Sequence, residues 1–76
     1  MIEFDIGNYV KIIRNREAFW VCYEGYCSTP LGFMLIGTVE NDLIREHFYG
    51  YGDRILFHPS EVIEVWKDET NKILVD

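Results

Sequence analysis

Few residues in this chain could carry out covalent chemistry. Nucleophilic catalysis needs a serine or cysteine within reach of a histidine, and a third group that orients the histidine. His58 and Ser60 lie on either side of Pro59, but no nucleophile-elbow motif or other catalytic signature surrounds them. We therefore predict that the chain has no catalytic residues and is not an enzyme, with a small hydrolase as the alternative.

Metal binding would have to use two cysteines and two histidines, which are Cys22, Cys27, His47 and His58. Structural zinc sites favour two cysteines held close together on a turn, whereas Cys22 falls inside a predicted strand. A five-residue offset along one strand would also place the two thiols on opposite faces, where they cannot easily form a disulfide. The pattern predicts reduced thiols, no metal and no other cofactor, with a small metal-binding protein as the alternative.

Aromatic side chains give the clearest indication of a function, because tyrosine and tryptophan are enriched in the hot spots of protein interfaces. Tyr49 and Tyr51 flank glycines in a predicted loop, and Trp20 and Trp66 fall on the outward faces of predicted strands. The alternative is that the loop aromatics only pack over the mouth of a barrel. The predicted partner-binding residues are Trp20, Tyr49, Tyr51 and Trp66, with Glu40, Asp42 and Asp53 at the rim.

The charge balance limits the class of partner. Thirteen acidic residues against seven basic ones give a formal net charge of −6. Nucleic-acid binding depends on basic patches that contact phosphates, so we predict a protein partner. An acidic surface can steer toward a basic one, and one hypothesis is an inhibitor that covers a basic surface on a host nucleic-acid-handling protein. The alternative is that the acidic charge only keeps the protein soluble. The alternative is a nucleic-acid-binding barrel that uses Lys11, Arg14, Arg16 and stacked aromatics.

The sequence carries no sign of membrane insertion or secretion. No apolar run reaches the roughly 18 residues that a membrane helix needs. Residues 1–8 lack the basic start and the long apolar run of a secretory signal. We therefore predict no membrane association and a cytoplasmic location.

The elements that would position these residues are β-strands, because apolar and polar residues alternate with a period of two along much of the chain. Pro59 ends one strand, since proline cannot donate a ladder hydrogen bond, and Ser60-Glu61 suffices for one 3₁₀ turn. A strand, a 3₁₀ turn and a last strand are typical of small SH3-like barrels. The predicted strands are Tyr9–Arg14, Phe19–Tyr26, Phe33–Glu40, Arg54–His58 and Val62–Trp66.

These elements predict one mainly all-β domain over residues 1–76. It would be a small SH3-like bent β-barrel of five to six antiparallel strands, with a short 3₁₀ turn before the last barrel strand. Residues 1–8 would form an extended lead-in, and residues 67–76 a tail that could add a strand. Gly37 predicts a bulge or a bend in the third strand. Residues 15–17 predict a hairpin connection, with a helical turn over 16–19 as the alternative.

The alternation also assigns the two faces of the sheet. One face would be the core, with Val10, Ile12, Phe19, Val21, Leu35, Val39, Ile55, Phe57, Ile63 and Val65. The opposite face is unusually apolar, because it carries Trp20, Cys22, Met34, Ile36, Leu56 and Trp66. Monomers rarely expose so large an apolar patch, so we expect the terminal segments, a partner or a second copy in a homodimer to cover it.

The laid-out strands resemble a family of small bacterial and phage domains of unknown function, the YegJ-like domains. The residues that carry this resemblance are Phe19-Trp20-Val21, Ile36-Gly37-Thr38-Val39-Glu40-Asn41-Asp42, Tyr51-Gly52-Asp53-Arg54-Ile55-Leu56-Phe57 and Ile63-Glu64-Val65-Trp66. The resemblance covers roughly two thirds of the chain and implies a small, curved, β-rich fold of bacterial or phage origin. It implies no activity and no catalytic residues.

Overall fold

The computed structural model describes residues 4–66. The five strands in this range form a single antiparallel sheet. Its strand order is β4-β3-β2-β1-β5, so every strand pairs with a sequence neighbour except β5, which returns to β1. One 3₁₀ turn separates the last two strands. The elements are β1 (Tyr9–Arg14), β2 (Glu17–Thr29), β3 (Gly32–Val39), β4 (Arg54–Phe57), the 3₁₀ turn (Pro59–Glu61) and β5 (Val62–Trp66).

The predicted all-β class, the five strands and the 3₁₀ turn before the last strand are confirmed. The word barrel is too strong, because β4 and β5 are the two edges of an open sheet. Within the predicted lead-in over residues 1–8, residues 5–8 form a turn, and the amide of Gly7 donates to the carbonyl of Tyr23 at 2.8 Å. The predicted tail over residues 67–76 lies outside the described residues.

The 3₁₀ turn is held by a capping box around Pro59. Nδ1 of His58 accepts from the amide of Ser60 at 3.1 Å, and the Glu61 carboxylate accepts from the amide of His58 at 2.8 Å. Proline at the first position costs no hydrogen bond, because that amide would have no partner within the turn. The local sequence therefore specifies this corner of the chain.

A two-residue turn, Asn15-Arg16, joins β1 to β2. Both residues have positive φ, at 52° and 61°, as a type I′ hairpin turn requires. The predicted hairpin is confirmed, and the alternative helical turn over residues 16–19 is wrong because β2 already begins at Glu17. Asparagine tolerates this left-handed conformation, whereas arginine adopts it at a cost.

We expect Arg16→Gly to stabilise the protein by about 0.5–1 kcal/mol, because glycine relieves the steric cost of positive φ but loses more entropy on folding. Urea denaturation would measure the change in the free energy of unfolding. Asn15→Gly is the matched control. Its free energy of unfolding should rise less than that of Arg16→Gly, since asparagine already suits this conformation. An Arg16→Gly variant no more stable than the wild type would contradict the prediction.

Two irregularities in strand pairing determine which residues reach the core. In β2 the pairing shifts between Tyr23 and Gly25, so Glu24 is the extra residue of a bulge. The bulge places Cys22 and Cys27 on the same face, contrary to the expected opposite faces. Both thiols remain free, since five residues of strand separate them by roughly 16 Å.

The second irregularity lies where β5 pairs with β1. Ile12 is opposite Val62 and Lys11 is opposite Glu64, which leaves Ile63 unpaired. Val62 and Val65 therefore both pack against the core, and Ile63 is half-exposed rather than a core residue as predicted. A bulge reverses the inward and outward alternation beyond it, and for this reason a strict period of two failed here.

The core lies on the inner face of the bent sheet. Seven predicted core residues are buried, and Leu35 and Val65 pack against them from the margin. Tyr23, which continues the alternation of Phe19 and Val21, is a further buried residue that the predicted core did not include. The buried core residues are Val10, Ile12, Phe19, Val21, Tyr23, Val39, Ile55 and Phe57. The outer face carries the apolar residues assigned to it, with Leu56 and Trp66 exposed and the other four half-buried.

Candidate partner-binding site

The structure brings together three of the seven predicted partner-binding residues. Trp20, Glu40 and Trp66 line one groove on the outer face of the sheet, together with Tyr9 and Asn41. This outer-face groove has a volume of about 430 Å³. Its residues come from β1, β2, β5 and the chain just after β3, so it exists only once those elements are assembled.

Strand pairing accounts for the position of each side chain in the outer-face groove. Tyr9 on β1 lies directly opposite Trp66 on β5, and their ring centroids are 5.5 Å apart with the planes tilted by 48°. Lys11, two residues along β1, lies opposite Trp20 on β2. Alternate residues of a strand share a face, so Tyr9, Lys11, Trp20 and Trp66 all lie on the outer face.

The chain after β3 supplies the acidic side of the groove. The amide of Glu40 donates to the carbonyl of Trp20 at 2.9 Å, which extends the pairing of β2 and β3 by one residue. Oδ1 of Asn41 then accepts from the amide of Trp20 at 2.6 Å. These two bonds hold residues 40 and 41 beside the indole of Trp20.

The electrostatics of the groove combine one cation with an acidic surround. Nζ of Lys11 lies over the Trp20 ring, 5.4 Å from its centroid, which is within the range of a cation–π contact. Cys22 is nearby on the same face, and its thiol pKa is raised by burial and further by the carboxylates of Glu40 and Glu24. The raised pKa keeps Cys22 a neutral thiol rather than a reactive thiolate.

The predicted protein-binding residues did not include Tyr9, Lys11 or Asn41, although Lys11 was named for the nucleic-acid alternative. Tyr9 and Lys11 belong to a strand that the alternation identified correctly. They could have been found because their positions in that strand point to the outer face of the sheet. Their proximity to Trp66 depends on the pairing of β1 with β5, which are more than 50 residues apart in sequence. That pairing cannot be read from local periodicity.

Tyr49 lies in a different part of the molecule and has a structural environment. Its hydroxyl accepts from Nη1 of Arg14 at 2.9 Å, and its ring packs near Phe19 and His47, with centroid distances of 6.3 and 5.3 Å. The structure therefore does not place Tyr49 with Trp20 and Trp66 as the prediction had it. It packs over one end of the sheet, which is the alternative that the sequence left open.

A second cleft, the loop cleft, has a volume of about 620 Å³ and lies beside Tyr49. Its polar groups are already engaged: Arg14 pairs with Glu61, and Nε2 of His47 contacts Glu17 at 3.0 Å. Phe48 in the same loop is fully exposed. The loop cleft is lined by Arg14, Asn15, Glu46, His47, Phe48 and Tyr49. We favour the outer-face groove as the functional site, because fewer of its side chains serve the fold.

Glu17 holds the loop that contains His47 and Tyr49. Its carboxylate accepts from the amides of Ile44 and Arg45 at 2.8 and 2.9 Å, besides its contact with His47. These bonds, led by the one from Ile44, lower the pKa of Glu17. A single carboxylate at the start of β2 thus organises a loop some 30 residues away in sequence.

We expect Glu17→Gln to loosen this loop while leaving the sheet folded, because the amide retains only one acceptor oxygen and no charge. Hydrogen exchange measured by NMR should become several-fold faster at the amides of Ile44 and Arg45. Glu46→Gln, in the same loop, is the control for loss of an exposed charge and should leave both rates unchanged. Equal protection in Glu17→Gln and the wild type would contradict this role.

The other predicted partner-binding residues, Tyr51, Asp42 and Asp53, do not line the outer-face groove. Asp53 accepts from the amide of Gly50 at 2.8 Å and so closes the turn before β4, in which Tyr51 projects with an exposed ring. Asp42 is exposed just beyond Asn41. Of these three residues, only Asp42 is a sequence neighbour of a groove residue.

His58 and Ser60, the candidates for covalent chemistry, belong to the cap of the 3₁₀ turn. Nδ1 of His58 is 2.8 Å from the hydroxyl of Ser60, but the same nitrogen accepts the Ser60 amide within the capping box. No group of three histidine, cysteine or acidic side chains in these residues is placed to hold a metal ion. The helical structure there is a single 3₁₀ turn, far too short to cross a membrane.

Comparison of the chain with family models, with curated proteins and with solved structures found no match.

Proposed function

We propose that this protein is a non-catalytic protein-binding module, and that the outer-face groove is its binding surface. The observation that carries the proposal is the convergence of Trp20, Trp66 and Glu40 from separate elements into one groove. Trp66 is 50% exposed, although a large aromatic ring is costly to leave in water. Tryptophan and tyrosine supply much of the binding energy in protein interfaces, so a partner that covers this groove would gain stability.

The acidic composition supports a basic partner. Glu40 lines the groove, Glu64 lies on the same face opposite Lys11, and the whole chain has a formal net charge of −6. In its specific form, the proposal is an acidic inhibitor from a bacterium or phage that acts in the cytoplasm on a host nucleic-acid-handling protein. The 3₁₀ turn between β4 and β5 supports an SH3-like description of the fold, and with it the resemblance to YegJ-like domains.

Affinity capture from a lysate of the host bacterium tests the proposal, with immobilised wild type compared with Trp66→Ala. Phe33→Ala is the matched control, because Phe33 is also an exposed aromatic on the sheet, at 65%. We expect a protein that the wild type and Phe33→Ala retain, that Trp66→Ala loses, and that elutes at raised salt concentration. Calorimetry with that purified protein would then confirm direct binding. Identical retention by all three baits would refute the proposed site.

The nucleic-acid alternative has less support. Of its three bases, Arg14 is engaged by Glu61, Lys11 lies over Trp20, and only Arg16 projects from an exposed turn. Fluorescence anisotropy with single-stranded oligonucleotides at low salt distinguishes the two functions. Binding by the wild type that is lost in Lys11→Gln would favour nucleic acid over a protein partner.

A further inference from the structure

A row of side chains across the outer face alternates in charge around Trp20. Lys11 lies opposite Glu64 on one side and Trp20 on the other. Glu40 follows beyond Trp20, because its amide donates to the Trp20 carbonyl. The row therefore reads acid, base, indole, acid from β5 to the end of β3.

The Trp20 indole already holds a cation within the chain. Nζ of Lys11 lies 5.4 Å from the ring centroid, and no carboxylate within residues 4–66 forms an ion pair with it. The attraction of an ammonium group to the negative face of an indole accounts for this position. The surface of Trp20 is thus suited to a positively charged group.

Glu40 lines the same groove as Trp20, and its backbone pairs with Trp20 on the side away from Lys11. In the part of the chain that the structure describes, its carboxylate has neither a hydrogen bond nor an ion pair. Glu40 is also only half-buried, so its oxygens are within reach of a partner. A carboxylate beside an aromatic face attracts a cation more strongly than either group does alone.

We infer that the outer-face groove binds a cationic side chain of the partner, and that an arginine guanidinium is the ligand. This inference rests on the protein-binding function proposed above. The guanidinium would lie against the rings of Trp20 and Trp66 and donate to the carboxylate of Glu40. Charge complementarity supports this ligand, since Glu40 and Glu64 mark the two ends of the row.

Arginine fits this groove better than lysine for two reasons. Its planar guanidinium stacks on aromatic rings and can donate two parallel hydrogen bonds to one carboxylate. It is also less strongly hydrated than an ammonium group, so it loses less on leaving water. Lys11 then acts as a weak internal occupant of the Trp20 ring, and the arginine of the partner displaces it.

NMR titration of the full chain tests this inference directly, because Trp20 and Trp66 are the two tryptophans of the sequence and give the two indole signals. The probe is the peptide acetyl-Gly-Arg-Gly-Arg-Gly-amide. The matched control replaces each arginine with citrulline, which has the same shape and no charge. We expect saturable shifts of both indole signals with the arginine peptide and at least about fivefold weaker binding of the citrulline peptide.

Two substitutions that each remove a charge, with matched controls, test whether the arginine of the peptide binds beside Glu40 and in place of Lys11. Glu40→Gln should weaken binding of the arginine peptide, whereas Glu46→Gln, the same change in a distant loop, should leave it nearly unchanged. Lys11→Gln should strengthen binding by about threefold through removal of the internal competitor. Arg45→Gln makes the same change in net charge away from the groove and should have a smaller effect. The backbone signals of each variant verify that it is folded.

Several results would overturn the inference. Equal binding of the arginine and citrulline peptides would show that charge plays no part, and weaker binding by Lys11→Gln would show that Lys11 is not a competitor. Indole signals that move on dilution without peptide would assign the groove to a second copy of the chain. If the capture experiment yields a protein whose retention depends on Trp66 while the arginine peptide fails to bind, the protein-binding function is supported and arginine is refuted as the ligand.

Discussion

Gly37→Ala should destabilise the protein by about 3 kcal/mol, because the added methyl group has no space in the core. A Cβ at this position would overlap Cγ1 of Val21 and lie 2.7 Å from the carbonyl oxygen of Cys22. It would also lie 3.2 Å from Cε1 of Phe57. The Cys22 oxygen belongs to the backbone of the central strand β2 and cannot move without breaking its pairing with β3. Chemical denaturation monitored by tryptophan fluorescence would measure the loss.

Gly50→Ala is the matched control for this substitution. No atom lies within 4 Å of a Cβ built at Gly50, and its backbone is not in the left-handed region. The two variants share the entropic effect of replacing glycine with alanine in the unfolded chain, so their difference isolates the steric clash. Equal stability of the two variants would contradict the close approach of β2, β3 and β4 at Gly37.

Arg14→Met should destabilise the protein by about 2 kcal/mol at neutral pH. Arg14 bridges parts of the molecule that strand pairing leaves apart: its guanidinium donates twice to Glu61, at 2.8 Å each, and once to the carbonyl of Leu56 at 3.0 Å. It thereby links β1 to the 3₁₀ turn and to the free edge of β4. Methionine keeps much of the packing of the side-chain stem and loses every one of these bonds.

The same substitution should alter the pH dependence of stability. Hydrogen bonds from Arg14 are the main reason that the pKa of Glu61 is lowered, followed by the amide of His58. A lowered pKa in the folded state means that the pair stabilises fully above the unfolded value, about 4.3, and less as pH falls through the folded value. The difference between wild type and Arg14→Met should therefore shrink below about pH 4.

Arg54→Met is the control for Arg14→Met, since it also removes an arginine from an ion pair. Nε of Arg54 donates to Glu24 at 2.9 Å, but the arginine side chain is 73% exposed, against 28% for Arg14. Exposed pairs contribute little to stability because water screens them, so the loss should be much smaller. Denaturation of both variants across the acidic range makes the comparison, and equal losses would contradict a bridging role for Arg14.

Much of the fold could be predicted from the sequence because its signals are local. The period of two identified β1, β3, β4 and β5 to within a residue or so, and it located the interior of β2. His58, Pro59 and Glu61 specify the 3₁₀ turn through contacts three residues apart or fewer. Local alternation also assigned seven of the eight buried core residues correctly.

The errors arose where an extra residue interrupts the alternation. The bulge at Glu24 puts Cys27 on the same face as Cys22, and the bulge at Ile63 turns that side chain outward. Gly37 was expected to mark a bulge or a bend; the bulge lies on the facing strand beside it, and Gly37 provides the space that Val21 and Phe57 occupy. A bulge depends on the pairing of two strands, so the sequence of one strand does not reveal it.

The candidate site was only partly accessible from the sequence, for the same physical reason. Residue type identified Trp20, Trp66 and Glu40 as candidates, and outward parity gave their face. The sequence by itself thus determined the strands, the corner at Pro59 and the side chains available for binding. Only the tertiary structure decided which of these side chains are in contact. The pairing of β1 with β5 places Tyr9 beside Trp66, and the hydrogen bond from Arg14 holds Tyr49 in a different part of the molecule. Such contacts join residues far apart in the chain, and their energies depend on the assembled sheet rather than on local propensity.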